Sequence, residues 1–184
     1  SVLHDFPVFF DPETFRKTGK RIPLFHREVP TRYGVIPRFG SDADVRWFPF
    51  APCYMLHVVN CWEEGDWVIM DGCRSVNPMP KAYGDEGELS HMLAYMRLEA
   101  NNYRWRFNLI TGEVREGDID DLNTEFNKTN PLFGGQKSRY AYHQHIPTHE
   151  EGGYTLRFTG LVKYDNESGK RWRYDYGPGV LGSE

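Results

Sequence analysis

The 184-residue chain has only three cysteines, Cys53, Cys61 and Cys73. An odd count, in a chain long enough to bury a core without covalent staples, argues against a disulfide framework and predicts free, mostly buried thiols in a reducing cytoplasm. Long apolar runs are also missing. Nothing approaches the roughly 18 to 20 apolar residues that cross a bilayer, and Ser1-Val2-Leu3-His4-Asp5 has no basic-then-apolar leader pattern, so a soluble chain is expected. Nor is there an excess of one charge. Against 26 Asp and Glu stand 22 Lys and Arg, interspersed, for a net charge of −4, which gives no broad field for nucleic acid or an anionic membrane surface. Small molecules or proteins are the expected partners, and no nucleic acid. Aromatic residues, by contrast, are abundant at 15%, and that load excludes a disordered chain.

The 18 glycines and 12 prolines are spread along the whole sequence, as in short strands joined by turns. Tyr54–Asn60 and Asp66–Asp71 read as two strands of a hairpin turned by Glu63-Glu64-Gly65. Tyr103–Ile110 alternates aromatic or aliphatic with polar residues, the period of a half-buried strand, and reaches a turn at Thr111-Gly112. A last hairpin joins Gly153–Tyr164 to Arg171–Tyr176 through Asp165–Lys170, where Asn166 and Gly169 suit a tight turn. Only Asp85–Glu99, with Leu89, Met92, Leu93 and Met96 at spacings of three and four, predicts a helix. The class is therefore all-β with one short helix. Asp11–Pro37 and Gly117–Arg139 read as long aromatic-bearing connections that either cover a sheet edge or line a site.

Seven histidines are the natural place to look for chemistry. Cys53-x3-His57-x3-Cys61, with Cys73 beyond, has the residue types of a zinc site. Strand positions four apart are roughly 13 Å apart, however, too far for one ion, so small buried thiols are expected there. His143-x-His145 puts two imidazoles on one strand face about 6.6 Å apart, which a metal could bridge. Pro147 separates them from His149 and Glu150-Glu151-Gly152 follows, so a solvated strand end is the expectation. His57, in an apolar strand, and His4, in Leu3-His4-Asp5-Phe6, are left.

Around those two histidines stand Tyr33-Gly34-Val35-Ile36-Pro37-Arg38, Arg46-Trp47-Phe48, His57-Val58-Val59-Asn60-Cys61-Trp62-Glu63-Glu64-Gly65-Asp66 and Asp71-Gly72-Cys73-Arg74. Further along come Arg104–Glu113, Glu125-Phe126 with Asn130, and Arg139-Tyr140-Ala141-Tyr142. This wording resembles consecutive motifs of the carotenoid cleavage oxygenase family, which includes carotenoid-, apocarotenoid- and stilbene-cleaving dioxygenases and the retinal pigment epithelial membrane proteins. These motifs run in the family's order from about residue 3 to residue 176.

The resemblance implies a portion, roughly three blades, of a seven-bladed β-propeller, so that residues 1–184 form one incomplete propeller domain. It implies an Fe(II) cofactor held by four histidines, two of which match His4 and His57, with Glu125 matching a carboxylate that accepts a hydrogen bond from the imidazole of His57. The other two ligands belong to parts of the family pattern outside these residues, and none of His26, His91, His143, His145 or His149 falls in a ligand motif. The implied reaction adds dioxygen across a conjugated carbon–carbon double bond of an apocarotenoid, carotenoid or stilbenoid, giving two carbonyl products. Phe50, Phe126 and Phe133 are candidates for the apolar substrate tunnel or its mouth. Peripheral membrane contact for substrate uptake is compatible with this reading, and open strand edges predict self-association. In one departure from the pattern, Phe6 passes directly to Pro7-Val8-Phe9-Phe10, shortening the strand expected to seat His4. By itself the chain is expected to be inactive, and the competing expectation is a non-catalytic all-β interaction module.

Overall fold

The computed structural model describes residues 1–21, 23–79, 97–148 and 156–182. Its elements are β1 (Val2–Asp5), β2 (Val8–Phe10), α1 (Pro12–Thr18), β3 (Pro23–Phe25), β4 (Thr31–Val35), β5 (Arg46–Phe50), β6 (Tyr54–Glu64), β7 (Trp67–Ser75), β8 (Asn101–Asn108), β9 (Val114–Thr129), β10 (Tyr140–His145), β11 (Gly160–Asp165) and β12 (Lys170–Asp175). Two units are distinguished, Ser1–Tyr54 with Val76–Met79, and Met55–Ser75 with Pro80–Glu184.

In the first unit β4 is central to the antiparallel sheet β1-β4-β5, and all its residues but Arg32 are buried. Tyr33 is fully buried beside Phe48 and Phe50, and the Thr31 hydroxyl donates to the Cys53 carbonyl (2.8 Å) while accepting from the Cys53 N–H (2.9 Å). Gly34 is required by close approach, since a Cβ there would sit 2.9 Å from Val45 Cγ1 and 3.0 Å from the Trp47 ring. Despite its shortness, β1 is a strand paired along its whole length with β4, His4 opposite Tyr33. The Asp11–Pro37 stretch is not simply a connection: it holds α1, β3 and β4. Asp11 caps α1 by accepting from the Thr14 N–H (2.8 Å), Pro12 opens it, and Gly19 closes it at φ 66°.

The second unit carries a seven-stranded sheet in chain order, β6 through β12. The hairpins predicted around Gly65 and Gly169 form, and both glycines take the left-handed conformation such turns require. Alternation on β8 turns Tyr103, Trp105 and Phe107 inward, each worth about 1.5–3 kcal/mol of apolar burial. Its intervening Arg104 lies directly across from Asp71 of β7 and holds it with two hydrogen bonds, 2.6 and 2.7 Å. β12 ends the sheet with exposed Lys170, Arg171 and Arg173, a composition that blunts edge pairing.

The largest departure from expectation is β9. Gly117–Arg139 read as a connection, yet β9 runs sixteen residues to Thr129. It pairs with β8 from Val114↔Phe107 to Asp118↔Tyr103 and again, after a register shift, at Asn123↔Asn101, and its last part pairs with β10 (Thr124↔His145 to Thr129↔Ala141). The helix expected over Asp85–Glu99 falls, up to residue 96, outside the described residues.

Candidate functional site

His57 lies on β6, and Glu125 on β9. Its Nδ1 is 2.6 Å from Glu125 Oε2, although 68 residues separate the two in sequence. The Glu125 side chain is fully buried, while that of His57 is 41% exposed. The same Oε2 accepts the Phe126 main-chain N–H at 2.6 Å, and Oε1 has no hydrogen-bond partner among the described residues. Burial pushes the Glu125 carboxyl above the ordinary carboxylate range, and the hydrogen bonds from His57 and Phe126 offset part of that rise. With Nδ1–H donating to the carboxylate, His57 is held as the tautomer whose Nε2 carries the free lone pair.

A local break in β9 aims these groups. Phe126 is the one non-glycine residue with positive φ, 52°, among the described residues. Pairing with β10 shifts register there, from Lys128↔Tyr142 to Glu125↔Gln144, so that Phe126 and Asn127 stand opposite the single residue His143. Such a bulge re-aims side chains. The Phe126 ring packs 4.9 Å from the rings of both His57 and Phe158.

The remaining predicted residues are placed as follows. His4, on β1 of the first unit, is exposed at its edge and packs T-wise against Phe6 and Tyr33, each at 5.5 Å. Desolvation by these neighbours lowers its pKa from 6.5. Phe50 is a core residue of its sheet, 6% exposed, against Tyr33. Phe133 ends a single 3-10 turn capped by Asn130 and is half exposed. All three cysteines are free thiols, Cys53 and Cys73 buried.

One expectation is overturned. His143 and His145 are not a solvated strand end: both are buried, on the inward face of β10. Burial drives the His143 pKa down to about 3, so its imidazole is neutral. His149 lies outside the described residues. The buried pair was illegible because Tyr140–His145 carries few apolar side chains, and the partners of His143, Gln144 and His145 include Thr124, Tyr176 and Thr159, all distant in sequence. Thr124 Oγ1 is 3.2 Å from His143 Nδ1, and Cys73 Sγ is 3.7 Å from the same nitrogen.

Other motif residues have scaffolding roles. Asn60 makes four hydrogen bonds, donating to the Phe133 and Gln136 carbonyls (3.3 and 2.6 Å) and accepting from the Cys61 and Gly135 N–H groups (2.9 and 3.3 Å). It thereby fastens the 133–136 loop three residues beyond His57. The Trp62 indole donates to Glu64, which pairs with Lys137, and Arg104 lies over the Trp62 ring at 5.3 Å.

Can these residues serve a metal? Among the described residues no group of three or more His, Cys, Asp and Glu side chains could hold an ion. The donor that fits is a single neutral imidazole with its tautomer fixed by a buried carboxylate, which suits one ligand of an ion whose other ligands come from elsewhere.

Solved structures give the fold. A cobalt-substituted Synechocystis apocarotenoid oxygenase superposes with a TM-score of 0.76 over 96% of this chain and 36% of its own, at 21% identity. A Pseudomonas brassicacearum lignostilbene dioxygenase gives 0.73 over 96% and 38%, also at 21% identity. The chain is all-β and has the fold of a portion of this β-propeller class. Residues 1–184 match the family described as retinal pigment epithelial membrane protein, and the chain belongs to that family. Carotenoid 9,10(9',10')-cleavage dioxygenase 1 of Pisum sativum is 31% identical over the whole chain, and zeaxanthin 7,8(7',8')-cleavage dioxygenase of Crocus sativus is 30% identical. The chain spans 35% and 47% of their lengths.

Proposed function

We propose that this chain forms part of an Fe(II)-dependent dioxygenase that cleaves a conjugated carbon–carbon double bond of an apocarotenoid, carotenoid or stilbenoid. The observation that carries the reading is the 2.6 Å contact between His57 Nδ1 and a fully buried Glu125. An interaction module without chemistry has no use for a buried carboxylate aimed at a half-exposed imidazole, whereas a metal ligand does. His57 would hold the iron through Nε2, and His4 would supply a second imidazole. Ferrous iron bound by neutral ligands would activate dioxygen for addition to the alkene. Glu125 keeps the proton of His57 on Nδ1, so Nε2 remains a lone-pair donor. Phe126, its ring tilted against that of His57, presents an apolar wall suited to a rigid polyene or stilbene, and Phe133 is a candidate for the mouth. Two of four imidazoles bind Fe(II) weakly, so these 184 residues alone are expected to turn over nothing.

The test is anaerobic reconstitution with ferrous iron, followed by detection of aldehydes from an apocarotenal and a hydroxystilbene. In a reading frame that supplies all four histidines, cleavage and bound iron are expected, and both are lost in His57→Ala. Full activity in His57→Ala would refute the assignment. Turnover by the 184 residues alone, abolished by His57→Ala, would keep the ligand and overturn the expected inactivity.

A further inference from the structure

Glu125 accounts for the ring of His57 but not for the main chain that carries it. Behind that main chain lies a second, buried polar group. Asn127 is 8% exposed and Cys73 fully buried. The Asn127 side-chain amide donates to the His57 carbonyl oxygen (3.3 Å) and to Cys73 Sγ (3.2 Å). Cys73 in turn lies 3.7 Å from His143 Nδ1. Three strands are joined in this way: β6 through the His57 carbonyl, β7 through the thiol, and β9 through Asn127. The bulge at Phe126–Asn127 is what sets Glu125 and Asn127 toward the same histidine.

We propose that Asn127, braced by Cys73, is a positioning residue for His57, fixing the ligand's main chain while Glu125 fixes its ring. The proposal rests on the reading of His57 as a metal ligand. An imidazole aimed only through its ring can still swing with its own backbone. An amide clamp on the carbonyl of the same residue removes that freedom, and a thiol, too weak an acceptor to compete with the carbonyl, holds the amide at the right rotation.

Cobalt(II) titration of the reading frame that supplies all four histidines, followed by its visible d–d absorption, tests this without turnover. Asn127→Ala is expected to weaken cobalt binding about tenfold, the lower end for loss of a group supporting a ligand, and to shift the band envelope. In a His57→Ala background the same change is expected to add nothing, because its effect passes through His57. Cys73→Ala is expected to shift the band in the same direction with a smaller loss, and it carries the test if Asn127→Ala does not fold. Unchanged cobalt affinity in His57→Ala would overturn the ligand reading itself. If His57→Ala weakens binding but Asn127→Ala does not, or if the Asn127→Ala loss persists undiminished without His57, the positioning role is refuted and the ligand reading stands.

Discussion

Replacing Arg104 with Met leaves the Asp71 carboxylate, 1% exposed, without the guanidinium that binds it through both oxygens. Removing one partner of a buried pair costs about 3–5 kcal/mol, because the surviving charge is left unsolvated. Arg104 keeps 19% of its side chain exposed, so some water reaches the pair, and about 3 kcal/mol at pH 7 is the expected loss. With a urea m-value of about 2 kcal/mol/M, the midpoint falls by about 1.5 M, read by tryptophan fluorescence. The loss has a pH signature. Burial already holds the Asp71 carboxyl above its ordinary value despite Arg104, and deleting the cation raises it further. A raised folded pKa contributes stability below the unfolded value, about 3.9, and loses it as pH rises through the folded value. The deficit is therefore smallest below about pH 4 and grows as pH rises above it, and Asp71→Asn in the same background recovers most of it. A deficit under about 1 kcal/mol, or one that stays flat from pH 4 to pH 8, would refute the reasoning.

At Phe126 the usual order of Gly and Ala is expected to invert. In a regular strand Gly is the less stable, but φ of 52° costs an L-residue roughly 1–2 kcal/mol, so Phe126→Gly should exceed Phe126→Ala by about 1 kcal/mol in chemical denaturation; equal stabilities would show the bulge relaxes freely. Arg139 and two backbone N–H groups hold Asp165 far below the ordinary carboxylate range. That depressed pKa contributes stability above the unfolded value and loses it as pH falls through the folded one, so Arg139→Gln should flatten the acid limb of a stability profile below about pH 4. An unchanged limb would assign the acid transition to other carboxylates.

The strands legible in the sequence were those whose partition is apolar. Tyr103, Trp105 and Phe107 alternate with arginines, and β8 follows directly. His57 and Glu125 were legible only through motif wording, since nothing in their own composition joins residues so far apart. Illegible were segments in which polar side chains are buried and satisfied by one another. The second half of β9 reads Asn-Thr-Glu-Phe-Asn-Lys-Thr, poor in strand formers, yet Asn123, Thr124, Glu125 and Asn127 are all buried, because each finds a tertiary partner that no local pattern announces. The helix α1 was legible but unread: Asp11-Pro12 and Gly19 mark its ends, while a seven-residue helix with no buried residue has no apolar stripe to reveal it.

The polarity of β9 has a structural cause. β9 pairs with β8 on one edge and with β10 on the other, and both pairings break register, between Asn101 and Tyr103 on β8 and between Tyr142 and Gln144 on β10. Backbone groups near such breaks lose ladder partners while remaining buried, so side chains must replace them. Asn123 does so at one break, accepting from the Ala100 N–H (2.8 Å) and donating to the Leu98 carbonyl (2.9 Å). At the other break Glu125 accepts the Phe126 N–H. An apolar β9 would leave these groups unsatisfied, at about 1–3 kcal/mol each. The register breaks thus call for buried polar residues, and the same need supplies the carboxylate that aims His57.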